Sequence, residues 1–309
     1  MTRISSYTQF FGNASGISTG QTNMAKAQAQ ASSQKVATDL KGYAQQGARL
    51  LSAKSYAERL DRRAETLAAL QGRADVESAA LASGVEAASQ ARDAIANAAA
   101  TGSAAGLRAA LEQVVASLGS AANAQYGGQA VFGGTWGYGD PFVTASLDDL
   151  AVAGGGGADA FWVDTGENRN VMIDDNRAIQ LSGAAEDIFR PMIDFIREVR
   201  EWENANTDLT GKMTDAQATY VMSLLPGIAA LQSTLIDQEA NAGITAKQIE
   251  QTAIANSQQR DAFNKTIGDQ ENVDLAEVAT RLAAAQTQYQ ASASIFSKMR
   301  DMNLLQYLR

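Results

Sequence analysis

A heptad pattern runs through the segment from Leu60 to Ile95. Its positions alternate steps of four and three residues and are mostly apolar: Leu60, Ala64, Leu67, Gln71, Ala74, Ser78, Leu81, Val85, Ala88, Arg92 and Ile95. The pattern predicts one helix of roughly 50 Å, at about 1.5 Å per residue, that needs a partner helix for its narrow apolar stripe. The residues from Ala100 to Gly106 then predict a turn, and Leu107 to Ala124 a second helix.

Both chain ends carry the same kind of stripe. The C-terminal one is Leu275, Val278, Leu282, Ala285, Tyr289, Ser292, Phe296 and Met299, and a weaker N-terminal one is Phe10, Ala14, Ile17, Gln21, Met24, Gln28 and Ala31. Asn272 or Asp274 is the predicted N-cap of the last helix. We expect the two amphipathic ends to pair with each other.

Apolar heptads are more often intramolecular core than an interface between subunits. The terminal helices, however, carry alanine on several faces, for example at Ala14, Ala31, Ala285 and Ala293, and such helices can pack against more than one neighbour. We therefore predict that both ends also form an assembly interface. Its predicted residues are Phe10, Ile17, Met24, Leu275, Val278, Leu282, Tyr289, Phe296 and Met299.

The middle of the chain, from about Gly127 to Gly183, changes to glycine-rich turn chemistry, including GGGG at Gly154 to Gly157. Short runs with strand composition lie between the turns: 130–132, 142–144, 161–163, 170–173 and 178–181. They predict a small β-rich insertion. No GK[ST] follows the glycines and no strand-to-helix G-x-G-x-x-G is present, which argues against a phosphate cradle.

Helical patterns return after Ala184. One apolar face, which we expect to start at a first turn that contains Pro191, consists of Ile188, Met192, Phe195, Ile196, Val199 and Trp202. A further helix is predicted from Asp215 to about Lys265, with a kink at Pro226 and a weak point at Gly243.

The patterns together predict a mainly α fold: a long antiparallel helical bundle or coiled-coil rod made from both chain ends, with a small central β-rich domain. The predicted divisions are a terminal-helix assembly domain (1–40 with 270–309), a helical-bundle domain (41–126 with 184–269) and a β-rich outer domain (127–183). The chain would run outward, form the β-rich head and return.

Composition excludes several functions. The 309 residues carry a formal net charge of −9, which argues against nucleic acid as a partner. Cysteine and histidine are both absent, so disulfides, thiol nucleophiles and the commonest general base are unavailable. No run of about 18 consecutive apolar residues predicts a membrane span. The N-terminus lacks an apolar h-region, so we expect no cleaved secretory signal.

Candidate chemistry is sparse. The acid pairs Asp148–Asp149 and Asp174–Asp175 are adjacent residues, which makes them poor acid/base pairs and better candidates for solvated turns. The aromatics Trp136, Tyr138, Phe161 and Trp162 either form a binding surface or pack the β-rich head. We predict no enzyme activity, no cofactor and no metal site.

Three stretches resemble the flagellin family. The segment from Asp274 to Leu308 (DLAEVATRLAAAQTQYQASASIFSKMRDMNLLQYL) is similar to the closing helix of that family, and QASSQKVATDLKGY (Gln30 to Tyr43) is similar to its N-terminal turn. GGQAVFGGTWGYGDPF (Gly127 to Phe142) resembles the hook–filament junction members more than the usual flagellins, and the DIF run at 187–189 also fits. The turn departs from the family at Gln34, where glycine is usual, and at Leu40, where a second aspartate is expected after Asp39.

The resemblance implies a structural subunit of the bacterial flagellum at the hook–filament junction. It implies homo-oligomers in a helical tube or ring, contacts with hook-associated protein 1 and flagellin, and a flagellar export chaperone. It also implies an extracellular location, reached through the flagellar export apparatus. A flagellin filament subunit is the main alternative, a helical needle-tip or adhesin-like protein is a second, and an enzyme with a flagellin-like frame is a third.

Overall fold

A computed structural model describes residues 2–135, 137, 139–143, 145–163, 168–181 and 183–307. It is 77% helical, which confirms the predicted mainly α class. The α-helices are α1 (Thr2–Ser33), α2 (Gly47–Thr101), α3 (Leu107–Ala122), α4 (Leu147–Gly157), α5 (Ala185–Ala205), α6 (Asp215–Glu271) and α7 (Leu275–Tyr307). Two short 3-10 helices span Leu40–Gln46 and Ala158–Phe161, and the strands are β1 (Gln125–Tyr126), β2 (Gln129–Ala130), β3 (Asn170–Met172) and β4 (Ala178–Gln180).

The chain forms two compact units. The terminal unit consists of Met1–Asp61 with Gln258–Arg309, and the central unit consists of Arg62–Ser257. Residues 127–183, predicted as an outer domain, lie within the central unit. The three-domain division stays a prediction.

The heptad seam of α2 is the side that the core covers. Every seventh position is buried: Leu60, Leu67, Ala74, Leu81, Ala88 and Ile95 are each at most 3% exposed. The alternate positions Gln71, Ser78 and Val85 are half-buried, and Arg92 is exposed and donates a hydrogen bond to the Oε1 atom of Gln232 in α6 at 2.9 Å. The polar positions of the heptad pattern therefore lie at the edge of the buried surface of α2. The predicted turn is also present, because α2 ends at Thr101 and α3 begins at Leu107.

Helix α5 closes the core of the central unit with one apolar face. Phe189 is fully buried and its ring lies so close to Gly84 of α2 that a β-carbon there would be 2.9 Å away. Ile188, Met192, Ile196 and Val199 are buried beside it. The expectation that Pro191 lies in the first turn is wrong. The helix begins at Ala185, so Pro191 lies in its second turn, on the exposed side.

The middle region contains less β structure and more helix than the composition predicts. Its described residues form two antiparallel pairs, β1 with β2 and β3 with β4, and an isolated bridge joins Phe142 to Trp162. The four glycines from Gly154 to Gly157 lie in α4, not in a loop. A capping box explains where α4 starts: the Asp149 carboxylate accepts from the Ser146 amide, and the Ser146 hydroxyl accepts from the Asp149 amide.

Helix α6 is apolar on more than one side. Among the helices of the described residues, α6 alone is long and apolar enough to cross a membrane by length and composition. An 18-residue window of α6 has a mean hydropathy of 1.3, and 28% of that window is buried. Val221, Ile228 and Leu235 form its buried side. Pro226 lies within the helix, which continues six residues beyond the predicted end to Glu271.

Candidate assembly surface

Helices α1 and α7 pack against each other within the terminal unit, as the paired stripes predict. The contact is close because small residues line it. A β-carbon on Gly20 would lie 3.3 Å from the Cα atom of Tyr289, and one on Gly16 would lie 3.3 Å from the Oγ atom of Ser292. Ala27 and Ala285 are buried further along the same pair. Missing or minimal side chains let the two backbones approach each other.

The predicted N-terminal stripe is wrong at three of its positions, although Ala14, Ile17 and Met24 are half-buried as expected. Gln21, Gln28 and Ala31 are exposed, whereas Gly20, Ala27 and Gln30 are buried. A hydrophobicity pattern seeks large apolar residues, and here a glycine and an alanine mark the contact. The Gly16-x-x-x-Gly20 spacing is the sequence signal that would have located it.

The nine predicted assembly residues divide by exposure. Val278 is buried, and five others are half-buried: Ile17, Met24, Leu282, Tyr289 and Phe296. Leu275 is 50% exposed. Phe10 lies in α1 and Met299 in α7, with side chains outside the described part of the chain. The pairing of the ends thus uses part of the predicted surface, and their role in assembly stays a prediction.

The segment that follows α1 pairs with the segment that follows α6 in an antiparallel bridge between Lys35 and Asn272. We call this pairing the crossing. The amide of Val36 donates to the carbonyl of Glu271 at 2.8 Å, and the amide of Val273 donates to the carbonyl of Gln34 at 3.1 Å. Gln34 adopts a left-handed backbone with φ of +56°. This conformation explains why a glycine is expected at position 34 from the family resemblance.

Glu271 connects this crossing to α2 through two ion pairs. Its carboxylate contacts the Nζ atom of Lys54 and, at 3.2 Å, the Nζ atom of Lys35, while its side chain is 12% exposed. The hydrogen bond from Lys54, with a further one from Lys35, lowers the pKa of Glu271 below its ordinary value despite partial burial. The carboxylate therefore stays ionised and holds three segments together.

A second cluster of ion pairs joins helix ends within the central unit. The Arg200 guanidinium of α5 contacts Asp148 of α4 at 2.7 Å and Glu203 at 3.0 Å. Arg108 of α3 contacts Asp208 at 2.7 Å. Hydrogen bonds from Arg200 and then Arg108 lower the pKa of Asp208. Glu203, buried and hydrogen-bonded to the amide of Leu209, is the centre of the cluster.

The acid pairs have structural partners. Asp148 binds Arg200 and Asp149 caps α4, while Asp174 contacts Arg63 of α2 at 3.1 Å. They are ion-pair and capping residues, so the expectation of merely solvated turns is incomplete. Among the described residues, no three His, Cys, Asp or Glu side chains are placed to hold a metal ion.

The aromatic residues of the head pack where the structure describes them. Trp162 is 7% exposed and its ring centroid lies 4.8 Å from that of Phe142. Phe161 is half-buried against the same core. Trp136 and Tyr138 lie outside the described residues.

Comparison with known proteins supports the resemblance. Residues 227–308 match the family described as the bacterial flagellin C-terminal helical region. No match is found among curated proteins. The matched segment includes most of α6 and all of α7.

Two solved structures share the fold. One, from Vibrio parahaemolyticus, is described as a flagellar hook-associated protein; it has a TM-score of 0.55 at 16% identity, over 76% of this chain and 99% of that one. The other is FlgL of Bacillus cereus, with a TM-score of 0.53 at 14% identity, over 71% of this chain and 99% of that one. At these identities they establish the fold. With the C-terminal match, they confirm the predicted resemblance to the flagellin family.

Proposed function

We propose that the chain is a structural subunit of the bacterial flagellum that acts at the hook–filament junction. The observation that carries the proposal is the C-terminal match at residues 227–308 on a chain whose fold is like that of FlgL. The pairing of α1 with α7 supports it, because two chain ends joined in one unit can enter a polymer together.

The outer faces of α1 and α7 are the proposed contact surface. Leu275 and Ile295 are about half exposed, at 50% and 49%, although both are large and apolar. Burying such side chains between subunits gains roughly 25 cal/mol for each Å² removed from water. Copies of the chain would therefore associate through the sides of the terminal unit that its own packing leaves open.

The proposed partners are further copies of this chain in a helical tube or ring, hook-associated protein 1 on the hook side and flagellin on the filament side. The chain would reach the cell exterior through the flagellar export apparatus, with an export chaperone and without a cleaved signal. The lack of cysteine in the sequence is compatible with that route.

Deleting the gene in the source bacterium tests the role. We expect cells with hooks but no filaments, and flagellin monomers in the culture medium, with filaments restored by the wild-type gene on a plasmid. Electron microscopy and analysis of the medium measure both results. Full-length filaments on the deletion strain would contradict the junction role and would favour a minor filament subunit, which shares the C-terminal match.

A further inference from the structure

Helix α6 carries a second heptad seam that faces solvent. Along the exposed side, residues recur at steps of three and four: Met222, Pro226, Ala229, Ser233, Ile236, Ala240, Ile244, Lys247, Gln251 and Ile254. We call these ten residues the outer seam. All ten are exposed, and the large apolar ones are 53% (Met222), 45% (Ile236), 57% (Ile244) and 51% (Ile254) exposed.

The outer seam is continuous, unlike ordinary scattered surface apolar residues. It covers roughly 48 Å of helix at about 1.5 Å per residue, and Lys247 is its one charged member. A different side of α6 is already buried in the core of the central unit, through Val221, Ile228 and Leu235. A second apolar stripe with heptad spacing is the pattern of a helix that packs against a further partner.

The same unit carries a groove of matching character between α2 and α3. It has a volume of about 640 Å³ and is lined mainly by small residues, among them Ala79, Ser83, Ala116 and Ser120. A neighbouring recess of about 360 Å³ extends it along α2 past Ala82 to Glu86. Small side chains leave a furrow into which the ridge of another helix can enter.

We propose that the outer seam of one copy docks into the α2–α3 groove of a second copy. The groove is nearly free of charge, like the seam, and its acidic residue Glu86 has the sign opposite to that of Lys247. The two surfaces lie on different helices, so one copy can use both at once. A contact between unlike surfaces propagates from copy to copy and builds rings or helical tubes.

This inference rests on the proposed function, and it adds to the terminal helices a lateral contact between central units. The junction role can hold whether or not this contact exists, since the terminal units alone could join the copies. The two proposals can therefore fail independently.

The cysteine-free chain allows a direct test by cross-linking. Full-length Ile244→Cys and Ser83→Cys proteins are purified, mixed at high concentration and treated with a short bismaleimide, because Ile244 lies one turn from Lys247 and Ser83 one turn from Glu86. We expect a mixed dimer in the mixture and none in either protein alone. Asn241→Cys, exposed on α6 away from the outer seam, is the matched control and should give no mixed dimer with Ser83→Cys.

Several results would overturn the proposal. One is the absence of mixed dimer at every concentration. The others are equal cross-linking of Asn241→Cys and a dimer formed by Ile244→Cys alone. In flagella isolated from complemented cells, cross-linking of Ser83→Cys to a different flagellar protein would assign the groove elsewhere. Binding of the full chain to phosphatidylglycerol vesicles that Ile236→Lys abolishes would assign the outer seam to a membrane surface.

Complementation separates this proposal from the proposed function. We expect Ile236→Lys with Ile244→Lys to lose filament restoration while circular dichroism shows unchanged helix content, and Thr234→Lys, exposed on α6 away from the outer seam, to complement fully. Full complementation by the double variant would overturn the lateral contact and leave the junction role intact. Failure of the wild-type gene to restore filaments would overturn the junction role, and the cross-linking test would still decide the contact.

Discussion

Gly20 of α1 lies directly against the backbone of Tyr289 in α7, where a β-carbon would come within 3.3 Å of the Tyr289 Cα atom. The neighbour is backbone, so it cannot rotate away as a flexible side chain would. The closest approach of the two chain ends therefore depends on a residue without a side chain.

Gly20→Val should push α1 and α7 apart and destabilise their pairing by about 1–3 kcal/mol, the usual cost of overpacking a close contact. Hydrogen exchange of the amides in both helices measures the change, because it reports local opening. Gly12→Val is the matched control, since a β-carbon on Gly12 meets no atom within 4 Å. Equal exchange rates in the two variants would show that the close contact at Gly20 does not govern the pairing.

Gln34→Gly should stabilise the protein. Gln34 has φ of +56°, a left-handed conformation that costs a residue with a β-carbon about 1–2 kcal/mol. Glycine removes that cost but gains freedom in the unfolded chain, so we expect a net gain of about 0.5–1 kcal/mol. The midpoint of urea unfolding measures it. Gln28→Gly, exposed within α1, should lower the midpoint, and a decrease in both variants would contradict the expected relief of strain.

Glu271 should make the crossing sensitive to acid. Its pKa is lowered in the folded protein, so its ion pairs contribute stability above the ordinary glutamate pKa near 4.3, and that contribution is lost as pH falls through the folded value. Glu271→Gln should cost about 1–2 kcal/mol at pH 7 and very little at pH 2. Thermal unfolding across this pH range measures the difference.

Glu250→Gln, at an exposed position of the same helix, is the control for Glu271 and should change stability by less than about 0.5 kcal/mol at either pH. A loss from Glu271→Gln that is the same at pH 7 and pH 2 would mean that packing, and not charge, is what the carboxylate contributes.

Substitutions at Leu275 and at Val278 should distinguish an effect on assembly from an effect on folding. Leu275 is 50% exposed and Val278 is 1% exposed. Leu275→Asp should leave helix content and melting temperature nearly unchanged but block incorporation into flagella. Val278→Asp should destabilise the terminal unit by several kcal/mol, because it buries an unpaired charge. Circular dichroism and immunogold labelling of flagella measure the two properties. Normal incorporation of Leu275→Asp would remove this residue from the proposed surface.

The long helices could be predicted from the sequence because their burial is periodic. Every seventh residue of the α2 seam is buried, as its spacing indicates, and Asp274 caps α7 by accepting from the amide of Ala276 at 2.8 Å. Such local signals need no knowledge of the rest of the fold.

Tertiary geometry decides what the sequence analysis misses. Glycines usually interrupt helices, yet α4 contains four of them, and the Ser146–Asp149 capping box that starts it is a short local signal easily overlooked beside them. The side of α1 that faces α7 is set by the close approach of Gly20 to Tyr289, and the pattern of apolar residues does not indicate that contact. The Lys35–Glu271–Lys54 ion pairs join segments far apart in the sequence, so their spacing carries no signal.

The hydrogen bond from Val273 to Gln34 closes a loop that contains most of the chain. Contacts between residues so distant in sequence form slowly, because much of the chain must be ordered before they become favourable. Because a chain is made from its N-terminus, α7 emerges after α1 and after all the segments between them. The two helices can therefore pair only once those segments have been made, and until then α1 has no partner helix.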